Sequence, residues 1–144
     1  MKKFFLAAAG ALLAAAAGAQ SPVHVDQPWV RTTVEQQTTT GAFMTLTAAR
    51  DLRLVSARSP AAATVEIHEM KMVGEVMRMR PVEALPLPAG KPVELKSGAY
   101  HMMLMGLKQP VKAGDIVPID LDLVDVQGRH EIVAVRAVGR LAAQ

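Results

Sequence analysis

Past residue 20 the chain alternates apolar and polar positions with a period of two, in short runs. Ala42, Met44 and Leu46 alternate with Phe43, Thr45 and Thr47, and Leu52, Leu54 and Ser56 with Arg53, Val55 and Ala57. Val65 and Ile67 alternate with Glu66 and His68, and Ile119, Leu121 and Leu123 with Asp120 and Asp122. Residues 131–138 repeat the pattern less cleanly, with Ile132, Ala134 and Arg136 set against Val133, Val135 and Val138. Side chains i and i+2 share a face only in extended backbone, so each run predicts a half-buried strand. Turn formers separate the runs: Pro60, Gly74, the stretch 86–90, Ser97-Gly98, Pro110, the stretch 113–115 and Gln127-Gly128. No ten-residue stretch in this region has a strong helical period. The expected fold class is all-β, an antiparallel β-sandwich or barrel of the Greek-key kind. Residues 115–125 and 129–138 flank Val126-Gln127-Gly128 and predict the closing hairpin. The tail 140–144 is expected to fray.

The N-terminal stretch departs from this pattern. Lys2 and Lys3 precede an alanine- and leucine-rich run over 4–17, and Ala17-Gly18-Ala19 offers a small-x-small cleavage site before Gln20. That is the layout of a secretory signal peptide over 1–19, and it implies an exported domain over 20–144. The apolar run is shorter than the roughly 20 residues a membrane span needs, so no stable membrane association is expected after cleavage. About 125 residues suffice for one domain with a core of its own. Removing Lys2 and Lys3 from the 16 basic residues leaves 14 against 13 acidic ones, so the net charge falls from +3 to +1. With no basic run and only 3% aromatic residues, nucleic-acid binding is not expected.

The chain has no cysteine. This excludes a disulfide framework, a cysteine-linked lipid anchor and a blue-copper centre, which needs a thiolate. It has instead an unusual concentration of methionine. Of nine methionines, seven lie between Met70 and Met105, in three clusters: His68-Glu69-Met70-Lys71-Met72, Met77-Arg78-Met79 and His101-Met102-Met103-Leu104-Met105. On strands, His68 shares a face with Met70, Met77 with Met79, and His101 with Met103 and Met105; Met102 falls on the opposite face and is expected in the core. A lone methionine is more often a gap-filler than a ligand. Two histidines each beside a methionine, with a third cluster between them, form a set: His68, Met79, His101 and Met103. Imidazole and thioether together select a soft ion, above all Cu(I), one per chain, over hard cations. Met70, Met72, Met77 and Met105 are left as an outer shell, extra copper ligands or a docking surface. His24 and His130 stand apart and are expected to be structural or exposed.

The four candidate ligands fit the spacing H-x10-M-x21-H-x-M, and the chain here resembles the periplasmic PCuAC-type copper(I) chaperones. Further blocks carry the resemblance: Pro28-Trp29-Val30-Arg31, Thr40-Gly41-Ala42-Phe43-Met44, Val76-Met77-Arg78-Met79-Arg80, and Ser97-Gly98-Ala99-Tyr100-His101. The resemblance covers about residues 24–138. It implies a periplasmic, cupredoxin-like β-sandwich that binds Cu(I) through two histidines and two methionines. It also implies delivery of copper to the CuA or CuB centres of cytochrome c oxidase subunits, beside a Sco-type assembly factor. The His- and Met-rich extension that binds Cu(II) in some members has no counterpart in the last residues here.

No Ser-His-Asp or paired-carboxylate arrangement is evident, so a carrier is expected and not an enzyme. An electron-transfer role is disfavoured by the missing thiolate. A periplasmic copper-storage or resistance protein, which would hold several coppers per chain, is the alternative, and a metal-free docking module is a further one.

Overall fold

The computed structural model describes residues 20–142 and contains ten strands and no helix among them. They are β1 (Val23–Arg31), β2 (Thr39–Ala48), β3 (Leu52–Arg58), β4 (Ala62–Val73), β5 (Val76–Pro81), β6 (Leu85–Leu87), β7 (Pro92–Leu95), β8 (His101–Leu107), β9 (Ile116–Asp125) and β10 (His130–Arg140). The signal-peptide reading falls on 1–19, outside the described residues.

Seven strands form a closed sheet in the order β4-β8-β2-β1-β10-β9-β3, and β3 returns to β4 at Ala57–Val65. All neighbours are antiparallel except β1 and β10, which run parallel where the first and last strands meet. Closure removes most free edges. Two short strands attach elsewhere, β6 to β3 and β7 to β2, and β5 hangs on β4 as an edge strand.

The period-two pattern turns one face of each strand inward. Ala42, Met44 and Leu46 of β2 meet Met102 and Leu104 of β8 and Ile119, Leu121 and Leu123 of β9 in a single core. Two bulges interrupt the alternation. In β3 the register shifts between Leu54 and Ser56, so Leu52 and Leu54 point inward, Ser56 turns out and Ala57 takes its place. In β1 the shift lies between Asp26 and Trp29, where Gln27 has a left-handed backbone (φ 47°). Val23 faces inward before this bulge and Val30 after it, which leaves Trp29 outside against Phe43.

Pro86, expected only to break structure, sits inside β6 with Leu85 and Leu87 buried on either side. A proline is tolerated there because β6 is an edge strand. The fraying expected from residue 140 does not hold for Arg140 itself. It pairs with Arg31, and its carbonyl accepts a hydrogen bond from Thr32 N–H at 3.0 Å.

The predicted closing hairpin is present, with register from His130–Val124 to Val138–Ile116. Asp125 organises its turn. Its Oδ1 accepts from the backbone N–H groups of Gln127 (2.8 Å) and Arg129 (3.0 Å), and its Oδ2 accepts from Arg129 Nε (2.8 Å). The Arg129 backbone N–H above all holds the Asp125 carboxyl below the usual carboxylate range; burial opposes this, and the Arg129 guanidinium and Gln127 N–H add to the lowering. A carboxyl lowered by folding stabilises the fold above its unfolded value near 4, and that contribution disappears as pH falls through the lower folded value. Asp125→Asn is therefore expected to lower the urea midpoint at pH 7 and to bring the variant closer to the wild type at pH 3. An equal gap at both pH values would contradict it.

Candidate metal centre

The outward faces of β4 and β8 carry the candidate chemistry. Their register places Ile67 opposite Met102 and Val65 opposite Leu104 on the inner side. It follows that His68 lies directly opposite His101, and Glu66 opposite Met103, on the outer side. The two imidazole rings stand edge to face with centroids 5.9 Å apart. The β4–β5 hairpin continues this face, with Met70 opposite Met79 and Met72 opposite Met77. On its other side Arg80 pairs with Glu69 across the same register and ties β5 to β4.

Hydrogen bonds fix which nitrogen each histidine offers. His101 Nδ1 is 3.0 Å from the Ala99 carbonyl, which can only accept. In a neutral ring the proton is then on Nδ1, and Nε2 carries a lone pair. That Nε2 is 3.1 Å from Met79 Sδ. Two electron-pair donors therefore face each other with no proton between them. A tetrahedral ion bound at roughly 2.0 Å to nitrogen and 2.3 Å to sulfur would hold the two about 3.5 Å apart. The donors thus need to separate by only a few tenths of an ångström to accept one.

His68 has the complementary arrangement. Its Nε2 is 2.7 Å from Glu66 Oε2, and its Nδ1 is buried without a hydrogen-bond partner. A carboxylate accepts, so in a neutral ring His68 is protonated at Nε2 and Nδ1 is the free donor. Metal-binding histidines commonly donate their second N–H to a carboxylate or backbone carbonyl, which fixes tautomer and orientation. Glu66 and Ala99 supply those two partners.

A cavity of about 430 Å³ opens beside these groups, lined by His101, Met103, Met79 and Met70 among others. His68 does not line it; its ring is turned toward Glu66. The structure thus brings Met79 and His101 into contact, sets Met103 on the same cavity wall and holds His68 across the strand pair. His101 is buried, whereas Met79 on the edge strand is half exposed. Met102 is fully buried in the core, as expected. His24 is exposed, and His130 is exposed and bonded to Asp122 at 2.8 Å. Among the described residues no group of three or more His, Cys, Asp or Glu side chains is placed to hold a metal ion, so the mixed imidazole–thioether set has no competitor of that kind.

The sequence pointed to no role for the far wall. Gly41 lies opposite Met103, and a Cβ there would come within 2.7 Å of the Phe43 ring. Phe43 stacks obliquely on Trp29 with centroids 4.6 Å apart, and the Arg31 guanidinium lies 5.5 Å from its centroid. The absence of a side chain at Gly41 lets the aromatic ring fold over the sheet and wall the cavity. The signal was present as a glycine two residues before an aromatic on one strand. Glu66 was equally legible, two residues before His68 on the same face.

Residues 23–135 match the family model described as putative lipoprotein LpqE-like. The chain belongs to this PCuAC-type family. The putative lipoprotein Lxx21020 of Leifsonia xyli subsp. xyli is 30% identical over 116 residues, covering 76% of this chain and 70% of that protein. The solution structure of apo-DR1885 from Deinococcus radiodurans is 33% identical with a TM-score of 0.59, covering 97% of this chain and 95% of that one. The CuI-DR1885 structure is 34% identical with a TM-score of 0.56, covering 82% and 80%. A copper-bound PCuAC domain from PmoF2 shares the fold with a TM-score of 0.66 at 20% identity, covering 85% and 95%. The cupredoxin-like fold implied by the resemblance is the one observed.

The tautomers give a direct test of the site in the metal-free protein. Long-range ¹H–¹⁵N NMR at mildly alkaline pH is expected to show His68 protonated at Nε2 and His101 at Nδ1. The opposite tautomer at His101 would place a proton between Nε2 and Met79 and contradict the free-donor geometry.

Proposed function

We propose that this PCuAC-type protein is a periplasmic Cu(I) carrier. In this reading His68, Met79, His101 and Met103 hold one cuprous ion and release it by ligand exchange. The observation that carries the proposal is the 3.1 Å approach of His101 Nε2 and Met79 Sδ, two free donors with no proton to share. The orphaned Nδ1 of His68 supports it, because a buried polar atom without a partner is costly. The copper(I) form of the Deinococcus radiodurans relative supports the choice of ion.

The donor set suits transport. Cu(I) is d¹⁰ and tolerates tetrahedral or lower coordination, so an acceptor's ligands can join before all of the carrier's have left. Two imidazoles and two thioethers are neutral, and Glu66 joins the set by its hydrogen bond to His68. Thioethers do not take up protons near neutral pH, so acid competes for the histidines alone. Without thiolates the carrier has no ligand to lose to disulfide formation in an oxidising compartment. Copper centres of haem-copper oxidases, loaded beside a Sco-type factor, are the acceptors in this proposal, and catalysis has no part in it.

Storage is the second reading, favoured by the surplus thioethers of Met70, Met72 and Met77. Storage requires several tightly held ions per chain, whereas a carrier requires one.

Met79→Leu tests the ligand set with little risk to the fold, because the swap roughly conserves volume and the position is half exposed. Competitive chelator titration is expected to show Cu(I) affinity weakened by about tenfold or more, equivalent to ~1.4 kcal/mol. The urea midpoint should be unchanged. Full retention of affinity would remove Met79 from the site.

A further inference from the structure

The β4–β5 hairpin carries methionines that the four-ligand set does not use. Met72 lies opposite Met77, and Met70 opposite Met79, two residues nearer the histidines on the same face. Met72 and Met77 are 54% and 48% exposed. Neither fills a gap in the core, the usual reason for methionine. The intervening positions, Lys71, Arg78 and the Glu69–Arg80 pair, belong to the opposite face. The hairpin is therefore two-sided, charged on one face and lined with thioethers on the other.

We infer that Met72 and Met77 form a second, weaker site for a soft monovalent ion, from which Met70 passes it to Met79 and His101. Directly opposed residues on antiparallel strands have Cβ atoms about 4.5–5.5 Å apart. Two sulfurs holding one ion at roughly 2.3 Å each stand at most about 4.6 Å apart, a span that this pair can bridge. The next pair lies about 6.7 Å along the strand, and methionine's rotatable bonds let Met70 reach toward both positions. Met70 and Met79 line the cavity that His101 and Met103 also line, so the track ends at the main site. The ion moves between thioethers until it gains the His101 imidazole at the last step, and it stays Cu(I) throughout. Only the destination of the ion rests on the carrier reading; binding at the outer pair does not.

Ag(I), a soft d¹⁰ ion that does not change oxidation state here, tests the site through the methionine methyl resonances. In the wild type the first equivalent is expected to shift Met79 and Met103, and the second to shift Met72 and Met77. Met72→Leu/Met77→Leu should keep the first response, lose the second, and take up Cu(I) from a chelator complex several-fold more slowly at unchanged equilibrium affinity. Met72 and Met77 methyls that stay in place under excess Ag(I), or uptake as fast as the wild type's, would overturn the inference. Failure of the main-site reading would show separately, as a first equivalent that leaves Met79 and Met103 unmoved.

Discussion

The candidate centre depends on the register of β4 against β8. Ile67 and Met102, 4% and 0% exposed, meet inside the barrel, and that buried pair fixes what meets outside. With Ile67 opposite Met102, the next residues outward are His68 and His101. A one-residue slip of β4 would turn His68 toward the core and expose Ile67, and a slip of β8 would do the same to His101 and Met102, which the hydrophobic effect forbids. The outer site is thus positioned by inner packing. This accounts for the fully buried Met102 standing between two candidate ligands: it holds the register.

The four candidate donors are supported unequally. His101 is buried and bonded to the Ala99 carbonyl of the turn that precedes β8, and His68 is bonded to Glu66 on its own strand. Met103 sits opposite Gly41 on the central strand β2. Met79 lies on an edge strand whose only strand neighbour among the described residues is β4. Segments with few neighbours and exposed hydrogen bonds open at the lowest cost. A firmly held pair of imidazoles beside a peripheral thioether suits the proposed ligand exchange, in which one side would open while the other kept the ion.

Much of this was legible in the chain. The alternation of Ile119, Leu121 and Leu123 with Asp120 and Asp122 places β9 correctly, and the same rule separates Met102 from His101 and Met103. The spacing of the four candidate ligands gave the set that the β4–β8 register and the β4–β5 hairpin draw onto one face. What escaped the period-two rule were its interruptions. The bulge beyond Leu54 exchanges Ser56 for Ala57, and the bulge at Gln27 brings Trp29 over Phe43. Both are extra residues whose effect depends on the partner strand, which the local sequence does not contain. The tautomers of His68 and His101 were hidden for a similar reason, since each depends on a hydrogen bond set by the folded backbone.

The most direct test is X-ray absorption of the protein loaded with Cu(I), read together with the number of ions bound tightly per chain. A single cuprous ion with two nitrogen and two sulfur neighbours is the expected result. A copper shell without sulfur, or without nitrogen, would contradict the account.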